Sequence, residues 1–405
     1  MQQGLTLKLK IKPNDTEANQ LRVMQLAYTK ACDYVSSYHF EHHFTLSRRQ
    51  LHDALYRRLR RDFQLKSQLA ESVLITVLAR YKTVQTLMAR KPYRYKDSYT
   101  GKWYQVRRDL AWLRQPVRFK RLQVDLVWNR DWRFLKNGQI SLNTLDKPIK
   151  VDGALHYFDR YMHQGWKLGT AKLLQIGRKW YLHIGATKEL PDFNRSQMRH
   201  VVGLDRGLRF LTTAYDELDQ TSFANGKAIL RKRRKFKQLR QELQAKGTKS
   251  AKRRLKRIGQ RENRWMADVN HQITKTLAET YGTGAVFALE DLAGVRFATE
   301  RMAKDHRYEA VSWSFFDFEQ KLAYKTTLRG GTVVKVSADY TSQRCPKCGS
   351  INKTNRDHER HHYRCAVCGY QSNDDRIGAM NIQQLGTLWA SGETHPKFER
   401  LTAVE

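Results

Sequence analysis

Apolar and polar residues alternate at the start of the chain, Leu5, Leu7, Leu9 and Ile11 against Thr6, Lys8, Lys10 and Lys12, which is the period of a half-buried strand. Pro13 stops that run, and Asn14 with Glu17 three residues later spells a helix N-cap. Helical patterning then carries to about residue 90, through the basic run RRQLHDALYRRLRR. Between about 116 and 190 the texture changes to period two. Phe119 to Trp128 alternates, Asn137-Gly138 punctuates WRFLKNGQISL as a hairpin, and KLLQIGRKWYLHIGATK reads as two strands joined at Gly177-Arg178. These segments predict a small β-barrel or sheet that the strand at 5–12 completes. From Val201 the chain predicts a strand VVGLDRGLRFLTTAY, a long basic helical stretch, a strand AVFALEDL, a helix near 308–329, a strand TVVKVSA and a last helix from about Asp375 to Leu388. Strands interleaved with helices indicate an α/β layer. From Gly392 onward no periodicity is evident.

Charge sharpens this picture. The 405 residues carry 75 Lys plus Arg against 39 Asp plus Glu, a balance of +36, with 40% hydrophobic residues, enough for cores in two or three domains. Such an excess repels itself unless a polyanion is bound, so nucleic acid is the leading partner. No apolar segment reaches the roughly 18 to 20 residues of a membrane-spanning helix, and the N-terminus shows no signal-peptide pattern, so a cytoplasmic, nucleoid-associated protein with no membrane partner is expected.

Four of five cysteines form C-x-x-C, sixteen residues, C-x-x-C at Cys345, Cys348, Cys365 and Cys368, while Cys32 stands alone in a helical segment. The paired spacing predicts two knuckles around one structural, tetrahedral Zn²⁺; four independently buried cysteines leave it unexplained. His358, His361 and His362 lie between the pairs and read as solvated loop residues. All four positions being filled by protein, such an ion activates no water.

Two apolar strands end in carboxylates: Asp205 in VVGLDRG, between Gly203 and Gly207, and Glu290 in AVFALED. A third candidate is Asp375, which shares a helical face with Ala379 and Ile382, whereas Asp374 falls with Gly378 and Asn381 and reads as a cap, with Asn373 or Asp374 starting the helix. The residues leave open whether Asp205 and Glu290 face water just past their strands or converge on a cation. Three converging carboxylates are what a two-metal phosphoryl-transfer site needs, holding two Mg²⁺ about 3.5–4 Å apart. There is no phosphate-loop motif, nucleophile elbow or H-E-x-x-H helix. Two further features suggest polyanion contact: KPYRYKDSYTGKWYQVRR interleaves Tyr93, Tyr95, Tyr99, Trp103 and Tyr104 with cations, either as a stacking strip or as a hairpin whose aromatics simply pack, and the basic helix carries Arg231, Arg233 and Arg234.

The order GLDRG, basic helical hairpin, VFALEDL, YTSQRCPKCG, a second C-x-x-C and a helix D-x-x-x-A-x-N-I resembles the TnpB family of transposon-encoded RNA-guided DNA endonucleases, related to compact type V CRISPR effectors. The N-terminal strand, WYLHI and RENRWMADVNHQITKTL extend the likeness over nearly the whole chain. The resemblance implies a fold of α/β plus β-barrel: a RuvC-like, RNase H-type nuclease domain at 200–340 and 371–390, interrupted by a zinc ribbon at 341–370. It would be preceded by an oligonucleotide-binding wedge barrel (1–13 and 116–199) carrying a helical recognition insertion (14–115), and followed by a tail at 391–405. It implies catalytic, Mg²⁺-binding roles for Asp205, Glu290 and Asp375, with a guide RNA from the transposon end and double-stranded target DNA bearing a short adjacent motif as partners of a monomer. Ile377 departs from the Asn that members often carry, and a shifted register nominates Asp374. Two alternatives share these residues: a catalytically silent guided DNA-binding protein, and a transposase using the same acids for strand transfer.

Overall fold

The computed structural model describes residues 1–158, 161–162, 164–292, 315–357 and 359–399. The chain folds as two compact units, one of Gln2–Glu189 and one from Leu190 onward that also takes in Met1.

In the first unit, β1 (Gln2–Lys12) leads into three helices, α1 (Asp15–Glu41), α2 (Arg48–Asp62) and α3 (Ser67–Ala89). The expected cap forms: Asn14 accepts from the Glu17 amide while Glu17 accepts from the Asn14 amide. The helical run breaks where His43 and Phe44 take left-handed backbone, and Ser47 with Gln50 starts α2 with a second capping box. Leu21, Met24, Tyr28 and Val35 recur at helical spacing and bury one side of α1, with Cys32 among them.

The hairpin β2 (Tyr93–Lys96) and β3 (Trp103–Val106) follows. The strands β4 (Gln123–Leu126), β5 (Trp132–Phe134), β6 (Gln139–Leu142), β7 (Ile149–Gly153), β8 (Lys167–Ile176) and β9 (Lys179–Glu189) then join β1 in one antiparallel sheet of order β4-β8-β9-β1-β7-β6-β5. Thus β1 lies in the middle, paired with β9 along its length and with β7 at Ile11 and Lys12. The sheet is nearly closed: Trp132, on one end strand, donates its indole N–H to the Gly169 carbonyl of β8, next to the other end.

The second unit is built on a five-stranded sheet of order β12-β11-β10-β13-β14. VVGLDRGLRFLTTAY, expected as one strand, is two: β10 (His200–Asp205) and β11 (Phe210–Tyr215), antiparallel. They are separated by a turn in which the Gly207 amide donates to the Phe210 carbonyl. β12 (Thr221–Asn225) extends that edge, and the basic stretch forms α4 (Lys227–Lys246), α5 (Lys249–Ile258) and α6 (Arg261–Thr280). β13 (Ala285–Glu290) lies parallel to β10, and β14 (Thr332–Val336) parallel to β13, reached through α7 (Phe315–Thr327). The helix expected near 308–329 is described from residue 315 only; its start lies outside the described residues. A small sheet β15 (Arg356–Asp357), β16 (His362–Arg364) and β17 (Gln371–Asn373) precedes the last helix, α8 (Asp374–Ala390).

Both faces of the central strands are covered, which is why they read as continuous apolar runs. Val202, Leu204, Phe287 and Leu289 face Met266 and Leu277 of α6 and Phe318 and Leu322 of α7. The alternate residues face α8, where Ile382 and Leu385 pack on Val286 and Ala288. Gly203 makes that contact possible: a Cβ there would lie 2.1 Å from the Ala379 carbonyl oxygen and 2.3 Å from the Gln383 nitrogen.

Candidate active site

Period two carries the strand argument to its end. Asp205 shares the face of Val201 and Gly203, and Glu290 that of Val286 and Ala288, so both carboxylates leave adjacent parallel strands on the α8 side. Asp375 sits in the first turn of α8. The three acids come together. Burial pushes the Asp205 carboxyl well above the usual carboxylate range, and the charges of Glu290 and Asp375 push it the same way, while Arg356 opposes. Glu290 and Asp375 are also raised, in each case chiefly by burial. A Cβ at Gly378 would lie 3.1 Å from the Asp205 Cγ, so the first turn of α8 rests against that carboxyl. Asp375 Oδ2 is buried without a hydrogen-bond partner, which is costly for a carboxylate oxygen unless a cation faces it.

Further side chains hold this arrangement. The Thr341 hydroxyl donates to Glu290, and Asn381, fully buried on α8, donates to the carbonyls of Thr341 and Arg344 at 2.8 Å each. The Asn of the closing N-I motif therefore ties α8 to the loop that orients Glu290. Arg206 donates to the Glu290 backbone carbonyl at 2.8 Å.

Asp374 and Asp375 do different things, though not quite as the helical phase suggested. The cap is Asn373, whose side chain accepts from the Arg376 amide at 3.1 Å. Asp374, 1% exposed, instead accepts from Arg356 Nε at 3.0 Å, and Arg356 Nη2 lies 3.9 Å from Asp375 Oδ1. Arg356 reaches the acids from the segment between the cysteine pairs. Its distance in sequence from each acid, in a chain rich in arginine, hid it from sequence reasoning. His361, read as a solvated loop residue, is half-buried with Nδ1 3.5 Å from Asp374 Oδ1, and the ligand atoms of His361, Asp374 and Asp375 lie within 4.8 Å of one another. His362 is exposed, and His358 lies outside the described residues. Ile377 is buried with Tyr215 of β11 and with Cys345, Tyr363 and Cys365, so the residue at this position packs α8 against the cysteine segment.

The four cysteines form two similar knuckles. Gly349 and Gly369, each at positive φ, let the chain reverse so that their amides donate to the Cys345 and Cys365 carbonyls. Cys345 Sγ lies 3.6 Å from Cys368 Sγ, and Cys348 Sγ 3.6 Å from Cys365 Sγ. Tetrahedral thiolates about 2.3 Å from one zinc stand about 3.8 Å apart, so the donor set fits that ion.

Two predicted polyanion contacts diverge. Arg231 and Arg234 are exposed on α4, but Arg233 is 1% exposed, with Nε 3.7 Å from Glu262 Oε1, because it falls on the face of α4 that packs against α6. It is a structural ion-pair residue, and its assignment to nucleic-acid contact is corrected. The aromatic strip is a hairpin with every strand residue exposed.

Comparison with known proteins bears on both halves of the site. A probable-transposase family model (OrfB_IS605) matches residues 187–293, which hold Asp205 and Glu290, and a Cas12f1-like TNB-domain model matches 315–382, which hold the cysteines, Arg356 and Asp375. The CRISPR-associated endodeoxyribonuclease Cas12f1 of Sulfoacidibacillus thermotolerans is 28% identical over 242 residues, 55% of this chain and 55% of that one. The putative RNA-guided DNA endonuclease InsQ of Escherichia coli (strain K12) is 28% identical over 291 residues, 64% of this chain and 70% of that one. The TnpB-like protein MJ0751 of Methanocaldococcus jannaschii is 23% identical over 58% of this chain and 86% of that one. The chain thus spans about half the length of the Cas12f1 relative it matches. Among solved structures, a Cas12f1–sgRNA–target DNA complex shares the fold with TM-score 0.57 at 14% identity, over 90% of this chain and 82% of that one. Two family models in chain order, and relatives named TnpB-like, Cas12f1 and InsQ, make the chain similar to the TnpB family and its Cas12f1 relatives.

Proposed function

We propose that this protein is an RNA-guided DNA endonuclease, encoded by an insertion sequence, that hydrolyses target DNA phosphodiesters at Asp205, Glu290 and Asp375. The observation that carries the reading is the convergence of three carboxylates, Asp205 and Glu290 half-buried and Asp375 buried, whose protons are all held more tightly than usual chiefly by desolvation, with one buried oxygen of Asp375 unpartnered. Desolvating three acids side by side is costly without a counter-charge, and the donor set, all hard oxygen, suits Mg²⁺. Two bound Mg²⁺ would supply an activated water and charge stabilisation at the leaving oxygen. Asp205, Glu290 and Asp375 would hold them, Thr341 and Asn381 would keep Glu290 and α8 in register, and Arg356 would meet the phosphate's negative charge beside Asp375. The sheet carrying the acids is then a RuvC-like, RNase H-type domain, and the cysteine segment a zinc ribbon whose closed Cys₄ set leaves it structural. The Gln2–Glu189 unit would be the wedge barrel with its helical recognition insertion, gripping guide RNA and RNA–DNA heteroduplex through backbone and shape while base pairing selects the target.

The test is to express the gene with its flanking DNA, sequence the copurifying RNA, and assay the complex on DNA carrying the matching target. The parent should make breaks only in the presence of Mg²⁺, and Asp205→Ala should bind the target without breaking it. Equal cleavage by Asp205→Ala sinks the catalytic assignment; joined donor–target products instead of breaks would point to strand transfer.

A further inference from the structure

That reading gives the Gln2–Glu189 unit the RNA but assigns the hairpin at 93–106 no particular nucleotides, and its chemistry is specific. Its register pairs Tyr93 with Val106, Arg94 with Gln105, Tyr95 with Tyr104 and Lys96 with Trp103. Alternation therefore puts Tyr93, Tyr95 and Tyr104 on one face and Arg94, Lys96 and Trp103 on the other. The tyrosines form a ladder, with ring centroids 6.0 and 5.8 Å apart and interplanar angles of 21° and 26°, and Trp112 closes its end 5.5 Å from Tyr93. Rings that close admit no base between them; the ladder stiffens the hairpin. The turn is fixed as well, Asp97 Oδ1 accepting from the amides of Tyr99 and Thr100, and Arg108 pins the base by donating to the Lys91 carbonyl at 2.7 Å.

What this rigid frame holds out is bare aromatic surface. Trp103 is 70% and Tyr99 97% exposed. An isolated two-stranded hairpin gains little in water by displaying such rings. Residues 90–108 carry seven lysines and arginines and one acid, Asp97, whose carboxylate is engaged in the turn. Cations flanking an exposed indole fit a polyanion that has free π-faces, and duplex bases have none to offer because they stack on each other. The partner must also cover the rings for as long as the protein is soluble, which a resident RNA does and a passing DNA does not. We propose that the Trp103 face, with Tyr99 at the tip and Arg94 and Lys96 beside it, stacks unpaired bases of the protein's bound RNA. This rests on the guide-RNA reading above and names the part of that RNA engaged: a loop, bulge or end whose bases are unstacked and turned outward.

The test has two parts, both on the full chain. First, affinities for a mixed-sequence 20-nucleotide RNA single strand and for the blunt duplex of the same sequence are measured by anisotropy, for the parent and for Tyr99→Ala/Trp103→Ala. Neither side chain is buried, so the double variant should melt with the parent. Single-strand affinity should fall about tenfold or more while duplex affinity stays within about twofold. Unchanged single-strand affinity, or an equal loss on the duplex, overturns the inference. Second, ultraviolet crosslinking of the complex with copurified RNA and target DNA should link residues 93–106 to unpaired RNA nucleotides; links to DNA alone, or none, overturn it too. A chain that passes both but makes no guided breaks keeps this inference and loses the functional reading.

Discussion

Replacing Gly203 by alanine tests how the acids are brought together without touching any of them. The new Cβ would stand 2.1 Å from the Ala379 carbonyl oxygen and 2.8 Å from the Gln383 Cα, both backbone atoms of α8. Ordinary contacts begin near 3.4 Å, so the helix must withdraw by roughly 1.3 Å or the strand must bend by as much. Overpacking of this kind costs about 1–3 kcal/mol, and each kcal/mol lowers Tm by about 2–4 °C in a unit of this size. Asp375 rides on the same helix, and a displacement of ~1 Å at a reacting centre lowers rate about 100-fold. Calorimetry and a guided cleavage assay should therefore show both a lower Tm and a rate loss larger than instability explains at a temperature where the variant is folded. Gly378→Ala, whose Cβ meets the Asp205 carboxyl at 3.1–3.2 Å, should be milder. Gly4→Ala has nothing within 4 Å and should match the parent. A Gly203→Ala protein with parental melting and parental cleavage refutes the seating of α8 on β10.

Asp205, raised by burial and by its acidic neighbours, binds its proton more tightly folded than unfolded, so without metal the stability of the Leu190–Glu405 unit should fall as pH rises from the ordinary carboxylate range through the raised one. Asp205→Asn should flatten that fall and raise Tm at neutral pH in chelator, while abolishing cleavage; a lower Tm contradicts the repulsion argument. Arg233→Ala should lose about 3 kcal/mol by breaking a buried pair, yet leave the salt dependence of RNA binding unchanged, whereas Arg231→Ala should be stable and reduce that slope by about one. One zinc per chain should be found by mass spectrometry, and stripping it with a strong chelator should lower Tm and cleavage together; a fully active zinc-free protein contradicts the structural role.

What could be read from the sequence was whatever local period or pairing dictates. The strands ending in Asp205 and Glu290, the two cysteine knuckles and the Asn14 cap all follow from residues within a turn or a strand length. The break between β10 and β11 was hidden because GLRFL continues the apolar run, and only the Gly207 to Phe210 turn reveals it. Arg233 looks like its neighbours in a one-sign run; its burial depends on Glu262, two helices further on. Helical phase separated Asp374 from Asp375 but left the cap open between Asn373 and Asp374; it is Asn373, and the arginine that engages Asp374 comes from the β15–β17 segment, whose docking no local pattern encodes.

The place of α8 in the chain order has a consequence for synthesis. Asp205 and Glu290 leave the ribosome well before the helix that supplies Asp375, and the basic surfaces of α2, α4 and α5 emerge earlier than that helix too. The acidic centre therefore stays open on one side while those basic surfaces are already made, and the last acid arrives only after the cysteine segment. Under the proposed function, the order of translation itself would place RNA binding ahead of the completed acidic centre.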